Sequence, residues 1–587
     1  MRSPLSISSL LASSLLLSTA SASSGYHEQL NLRPLPLSNL LASFNFRSNT
    51  SLADFESQNF RLFPRSLGQI LQYAGTRELH LRFTLGRWDA ENWGARPWDG
   101  TREGGTGVEL WAWLDAETDE EADAKWLTLT NALSGLFCAS LNFIDETRTI
   151  RPVVSFQAEG DHPNTTLANA KLLHGVLPHE VVCTENLTPF LKLLPCKGKA
   201  GIGSLLDGHK LFDASFQSMA IDVRPVCPPG GECLLEVEQT IDMVLDISRS
   251  KRPRDNLIPR PIQGHELVCD TSKSYHSDSV CFPVDHLQSQ EWTLEQVFGK
   301  SIKGACPLIE PGVPPVCVEV PHSRSIFASE GSTEIKSQDS DSRCYDLASD
   351  GDFNLVLTQL DASSDGKELV EPEQPLLYAD RSFTGYGQEH GGVQAILTNP
   401  GDEEVEFVYM ESLPWFMRVY LHTLSTRISA ASSIPTTSAE TSAEIVKEIY
   451  YRPALDRERG TQLELLLRIP PKSTVFLTYD FEKSILRYTE YPPDANRGFD
   501  VAAAVITTLS PRKMNIRTTS LLLYLPTPDF SMPYNVIIFT STAIALSFGG
   551  LYNILVRQIV GADEGFESPV KSKLKRFLAV ITRRLAG

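Results

Sequence analysis

With 587 residues the chain is too long for a single hydrophobic core, so two or three domains are expected. Its formal net charge of −19 at pH 7 argues against a nucleic-acid partner. Basic residues collect instead at the C-terminal end, beyond a long uncharged run.

Residues 1–22 carry Arg2, an apolar run at Leu10–Leu17 and the small-residue site Ala20-Ser21-Ala22, the pattern of a secretory signal peptide. Leu79–Leu85 and Gly107–Leu114 alternate apolar and polar residues and predict strands, separated by the glycine-rich, polar Gly86–Gly94. Over Glu120–Leu141 the residues Ala122, Trp126, Leu129, Leu133, Leu136 and Phe137 recur at helical spacing. Val153–Gln157 and Leu234–Ile247 read as strands, and 250–290, 322–352 and 430–443 as surface excursions. From Val393 the β signal is strongest: Val405–Met410, Trp415–Leu424, and Leu463–Ile469 joined to Thr474–Phe481 by Pro470-Pro-Lys-Ser473 as a hairpin.

The predicted fold class is mainly β with some helix: an α+β N-terminal domain, a β-sandwich-like second domain and one C-terminal transmembrane helix. The expected divisions are a signal peptide at 1–22, an N-terminal lumenal domain at 23–360, a second lumenal domain at 370–525, a juxtamembrane segment at 526–535, a transmembrane helix at 536–556 and a basic tail at 557–587. Val536–Val556 is uncharged and long enough to cross about 30 Å of hydrocarbon. Pro526, Pro528 and Pro533 predict an extended approach to it. The positive-inside rule places the tail in the cytosol and the rest in a lumenal or extracellular space. All ten cysteines lie on that side, where disulfides persist, as do three glycosylation sequons, at Asn49, Asn164 and Asn186. In the tail, Leu574, Phe577, Leu578, Ile581 and Leu585 share one helical face among basic residues.

No catalytic constellation emerges. His179-Glu-Val-Val-Cys183 lacks the second histidine of a zinc protease helix, and no G-x-S-x-G occurs. Gly385–Gly392 has no lysine with which to cradle a phosphate. Asp339, Asp341, Asp350 and Asp352 lack the closing glutamate of a calcium loop. No cofactor and no metal are expected. Among the cysteines, Cys227 and Cys233 flank a tight turn, and Cys269–Cys281 and Cys306–Cys317 could close short loops likewise. Cys183 has no close neighbour and three options: Cys138, Cys196 or a partner protein. The Asn186 sequon beside it implies surface.

Leu177–Pro189, Leu136–Asp145, Leu525–Val536, Glu109–Leu114, Arg224–Cys227 and Leu413–Leu424 closely resemble the PIG-T family, over most of the chain from about residue 25 to 556. The resemblance implies a non-catalytic subunit of the endoplasmic-reticulum GPI transamidase, a single-pass protein with a large lumenal part. Its partners would be a caspase-like catalytic subunit, the other membrane subunits and the GPI glycolipid. It implies that Cys183 forms an intersubunit disulfide with the catalytic subunit, and that Asn496 and Asn535 contact GPI. From the residues alone, Asn535 equally suits a helix N-cap and Asn496 a turn before Arg-Gly. A stand-alone lumenal hydrolase would need a nucleophile that the sequence does not offer, a cell-surface adhesion or receptor protein would equally suit the sequons, disulfides and β signal, and purification with or without partner subunits separates these readings.

Overall fold

The computed structural model describes residues 25–585 apart from 163–166, 168, 179, 229–231, 252–268, 272–276, 278, 283–290, 311–313, 331, 337–340, 349–350, 359–368, 386, 431–444, 493, 495–496, 511, 528–530 and 557–568. The signal-peptide expectation therefore lies outside the described residues. The chain forms two compact units, one of residues 25–487 with 497–525 and the other of 488–496 with 526–585.

The larger unit is built on an eleven-stranded sheet. Its centre is antiparallel: Asn39–Ser51 pairs with Leu234–Asp246, which pairs with Phe216–Val226, then Thr76–Gly86, Gly107–Asp115 and Ala170–Pro178. Towards one edge Tyr26–Leu35 pairs with Asn39–Ser51 and runs parallel to Val316–Glu319. The predicted strands at 79–85, 107–114 and 234–247 are therefore central to the fold, the last ending at Asp246.

One sheet face is covered by helices. In Asp119–Phe137 the buried residues Ala122, Trp126, Leu129, Leu133 and Phe137 follow the helical repeat and join Leu79, Leu81 and Phe83 of the sheet in one core. Burial of each such leucine or phenylalanine stabilises by about 1.5–3 kcal/mol. Thr118 accepts from the Glu121 N–H, and Asp119, Glu120 and Glu121 sit at the positive end of the helix dipole. The helix stops at Cys138, whose φ of 52° is left-handed, and not at the expected Leu141.

The opposite face is buried too. Trp111, Ile150, Phe156 and Leu172 on this side pack with Met410 and Val505 of the second β region. That region has a four-stranded sheet (Tyr378–Thr384, His390–Asn399, Ser473–Lys483, Met417–Ala430) and a five-stranded one (Val446–Arg452, Thr461–Ile469, Val405–Leu413, Val505–Ser510, Asn515–Arg517). A buried ion pair, Arg381 to Glu411, links the two sheets. Alternate residues of both are buried, as in a sandwich: Leu463, Leu465 and Leu467 on one, Val475, Leu477 and Tyr479 on the other.

Three local expectations are corrected. Thr461–Ile469 and Ser473–Lys483 do not form a hairpin: the first pairs with Val405–Leu413, the second with His390–Asn399 and Met417–Ala430. Pro470 and Pro471 have no N–H to start a ladder between them, and the chain changes sheets there. Val153–Gln157 is not a strand, because the N–H groups of Val153, Val154 and Ser155 all donate to the Glu464 carboxylate at 2.8, 2.9 and 2.8 Å. Within 322–352, the short strands Glu334–Lys336 and Ser342–Tyr345 extend the large sheet through Val316–Glu319.

In the smaller unit, the helix Ser531–Leu555 contains a 22-residue span, Tyr534–Leu555, long and apolar enough to cross a membrane. Pro533 is its third residue, so the approach is not extended as far as expected; proline is tolerated in a first turn, where its N–H would have no partner. A second helix, Pro569–Leu585, follows.

Candidate docking surface around Cys183

Cys183 stands where two helices meet. Strand Ala170–Pro178 leaves the sheet, Val182 is buried, and Cys183 takes an extended conformation before the helix Thr184–Leu193. That helix buries Leu187, Phe190 and Leu193, which fixes its orientation on the core. The Gln239 amide donates to the Phe190 carbonyl at 3.0 Å, supplying a partner near the end of a helix interrupted by Pro189.

Asn186 ties the junction together. Its Oδ1 accepts from the Cys183 N–H at 2.8 Å, and its Nδ2 donates to the carbonyls of Phe137 and Cys138 at 3.0 and 3.3 Å. One side chain thus caps the start of the cysteine-led helix and the end of Asp119–Phe137, where backbone groups lack intrahelical partners. It is 3% exposed. The expectation of a surface sequon at Asn186 is corrected: the nitrogen a glycan would occupy is buried and donating. Asn49 is half-buried in strand Asn39–Ser51 with its Oδ1 accepting from Gly25 N–H, and Asn164 lies outside the described residues.

Cys138 is exposed and Cys183 half-buried, and both are free thiols. Cys196, the other in-chain option for Cys183, is bonded to Cys306. Cys227–Cys233 and Cys269–Cys281 close short loops, whereas Cys317 pairs with Cys344, opposite it on the adjacent strand, and not with Cys306. Two large apolar side chains are exposed within five residues of the thiols. Val181 is 77% and Phe143 63% exposed, and their segments are joined by the Ser140 N–H donating to Glu180 at 2.9 Å. Two free thiols beside exposed apolar side chains suit a protein partner, with a disulfide available to lock it.

His80, Glu159 and Asp222 could each offer a ligand atom within 4.8 Å of the others, but all three are already engaged. His80 bonds to Glu78 (2.7 Å) and to Asp222; Arg82 donates to Asp222 (2.7 Å); Arg102 donates to Glu159 and Glu238, both at 2.9 Å. Burial alone would lower the His80 pKa, yet Glu159, Asp222 and Glu78 raise it to about 9. Burial would raise Glu78 and Asp222; hydrogen bonds from His162 and His80 on the one, and the positive charges of Arg102 and Arg82 with a hydrogen bond from His80 on the other, hold both well below the usual carboxylate range. Three cations among these carboxylates leave little call for a metal ion. This is a structural ion-pair network of the large sheet and its loops; a separate buried pair, Arg517 on Glu109 at 3.0 Å, joins the sheet to the second β region.

Asn535 is exposed, at the fifth position of the apolar helix, so it is not an N-cap; the cap reading is corrected because the helix starts four residues earlier. Asn496 lies outside the described residues. Sequence reasoning passed over Asn186 as a structural amide, because a sequon advertises exposure. It also passed over Glu78, His80 and Arg82, because polar residues alternating along a strand read as a solvent face.

A family model described as "Gpi16 subunit, GPI transamidase component" matches residues 10–582. The chain belongs to this family. It is 39% identical over 585 residues to the GPI transamidase component GPI16 of Saccharomyces cerevisiae, covering 96% of this chain and 93% of the relative. It is 34% identical to the GPI transamidase component PIG-T homolog of Schizosaccharomyces pombe, covering 98% of each. To the GPI-anchor transamidase component PIGT of Homo sapiens it is 32% identical, covering 95% and 94%.

Proposed function

We propose that this chain is a non-catalytic scaffold subunit of GPI transamidase, binding and stabilising the caspase-like catalytic subunit and helping to position GPI at the lumenal membrane face. The observation that carries the reading is a near full-length match to a family of transamidase components, in a chain where Cys183 is a half-buried free thiol two residues from the exposed Val181. Cys183 forms the intersubunit disulfide with the catalytic subunit. Ser531–Leu555 anchors the protein once in the endoplasmic-reticulum membrane, with the larger unit in the lumen and 557–587 in the cytosol. Holding two substrates and a catalyst at one bilayer face supplies the orientation that acyl transfer to an amine needs. At the lumenal end of the anchor, Asn535, with Asn496, contacts the GPI headgroup; an amide can both donate to phosphate oxygens and accept from sugar hydroxyls.

Affinity purification from mild detergent tests the assignment. It should recover a cysteine-protease-like subunit and multispanning proteins, and recovery of a lone glycoprotein would overturn it. Asn535→Ala and Asn496→Ala should assemble normally and retain less GPI; loss of assembly without a separate loss of GPI would reject the contact.

A further inference from the structure

The helix Pro569–Leu585 has an apolar face with nothing in the described fold assigned to cover it. Val570, Leu574, Phe577, Leu578 and Ile581 fall at i, i+4, i+7, i+8 and i+11, a single stripe, and are each 40–66% exposed. Lys571 borders the stripe on one side and Lys573 on the other, and Lys575, Arg576 and Arg583 fill the opposite face. The helix contains no acidic residue. Lysines on both borders of an apolar stripe can send their alkyl stems along a hydrocarbon surface and their ammonium groups up to phosphates.

Covalent tethering decides among possible occupants. The apolar helix ends at Leu555 and the basic helix begins at Pro569, so a connection of this length spans at most about 3.3–3.6 Å per residue and keeps the basic helix close to the bilayer. At such range even a weak interfacial helix meets its lipid at high effective concentration. We propose that Pro569–Leu585 lies flat in the interface of the bilayer crossed by Ser531–Leu555, with its apolar stripe at the acyl boundary and its lysines and arginines on anionic headgroups. The inference rests on reading Ser531–Leu555 as a membrane span, and is independent of which subunits the lumenal part binds.

The test uses the full chain in nanodiscs of phosphatidylcholine, with and without phosphatidylserine, read by hydrogen exchange across 570–583. Backbone amides there should exchange about tenfold more slowly in the anionic discs, the gain falling with added salt. Replacing Lys571, Lys573, Lys575 and Arg576 by Glu should remove the lipid dependence. Phe577→Ser with Ile581→Ser, which keeps every charge, should remove protection in both discs. Equal protection in the two compositions, protection surviving the serine pair, or rapid exchange throughout would overturn the proposal. Failure of the chain to enter discs would overturn the span as well, and so is distinguishable from these results.

Discussion

Replacing Asn186 by Ala is the most informative single change to this fold. It deletes the acceptor of the Cys183 N–H and the donor to the Phe137 and Cys138 carbonyls, at a site 3% exposed. Each buried backbone group left without a partner costs about 1–3 kcal/mol. The Cys138 carbonyl, with the longest bond, loses least, so the sum is about 2–5 kcal/mol, a large part of a typical stability of 5–15 kcal/mol. Thr188→Ala is the matched control. It destroys the same Asn-Leu-Thr sequon but removes only an exposed hydroxyl donating to Thr184, a change within about 0.5 kcal/mol. Thermal unfolding should separate them: Asn186→Ala should melt several degrees lower, and Thr188→Ala near wild type. The yield of the proposed Cys183 intersubunit disulfide should fall with the first and hold with the second. Equal effects of the two substitutions, or a glycan found on Asn186 in the folded protein, would refute the argument.

Further expectations follow from the buried charges. The folded His80 pKa of about 9 is raised above its unfolded value near 6.5, so its contribution is fully present below pH 6.5 and lost as pH rises through 9. Melting temperature should therefore fall over that window, and His80→Gln should flatten the slope while lowering stability throughout. Glu109 is held low because Arg517 and His174 outweigh the upward push of burial, so its contribution is present above its unfolded pKa and lost as pH falls into the acid range. Arg517→Met should destabilise by about 3–5 kcal/mol by taking the arginine charge from buried Glu109 and leaving it only His174 and the Gly105 N–H, and adding Glu109→Leu should recover part of that in a double-mutant cycle. Glu464→Gln weakens the clasp on Val153–Ser155; limited proteolysis near residue 153 should speed up, and an unchanged cleavage pattern would contradict the clasp.

Elements with a clean apolar period were legible in the sequence. The stripe from Ala122 to Phe137 gave its helix because those residues face one core, and Val536–Val556 was readable as a helix able to span a membrane because its run of residues carries no charge. The misreadings share a cause: a side chain distant in sequence decides the local structure. Glu464 takes the N–H groups that would make 153–157 a strand, and the pairing of 461–469 with 405–413 overrides the apparent hairpin. The His80 network was invisible because alternation along Thr76–Gly86 does not report that the second β region covers its polar side. At the docking surface, Cys183 was marked by the absence of a partner in sequence. Its neighbours Val181 and Phe143, brought together by the Glu180–Ser140 hydrogen bond, could be found only in the fold.

The scaffold reading is tested most directly by a non-reducing gel of the complex purified from mild detergent, comparing wild type with Cys183→Ser and Cys138→Ser. The wild type and Cys138→Ser should carry the catalytic subunit as a covalent species that reductant dissolves, and Cys183→Ser should not. A Cys183→Ser protein migrating with the covalent partner still attached would contradict the account.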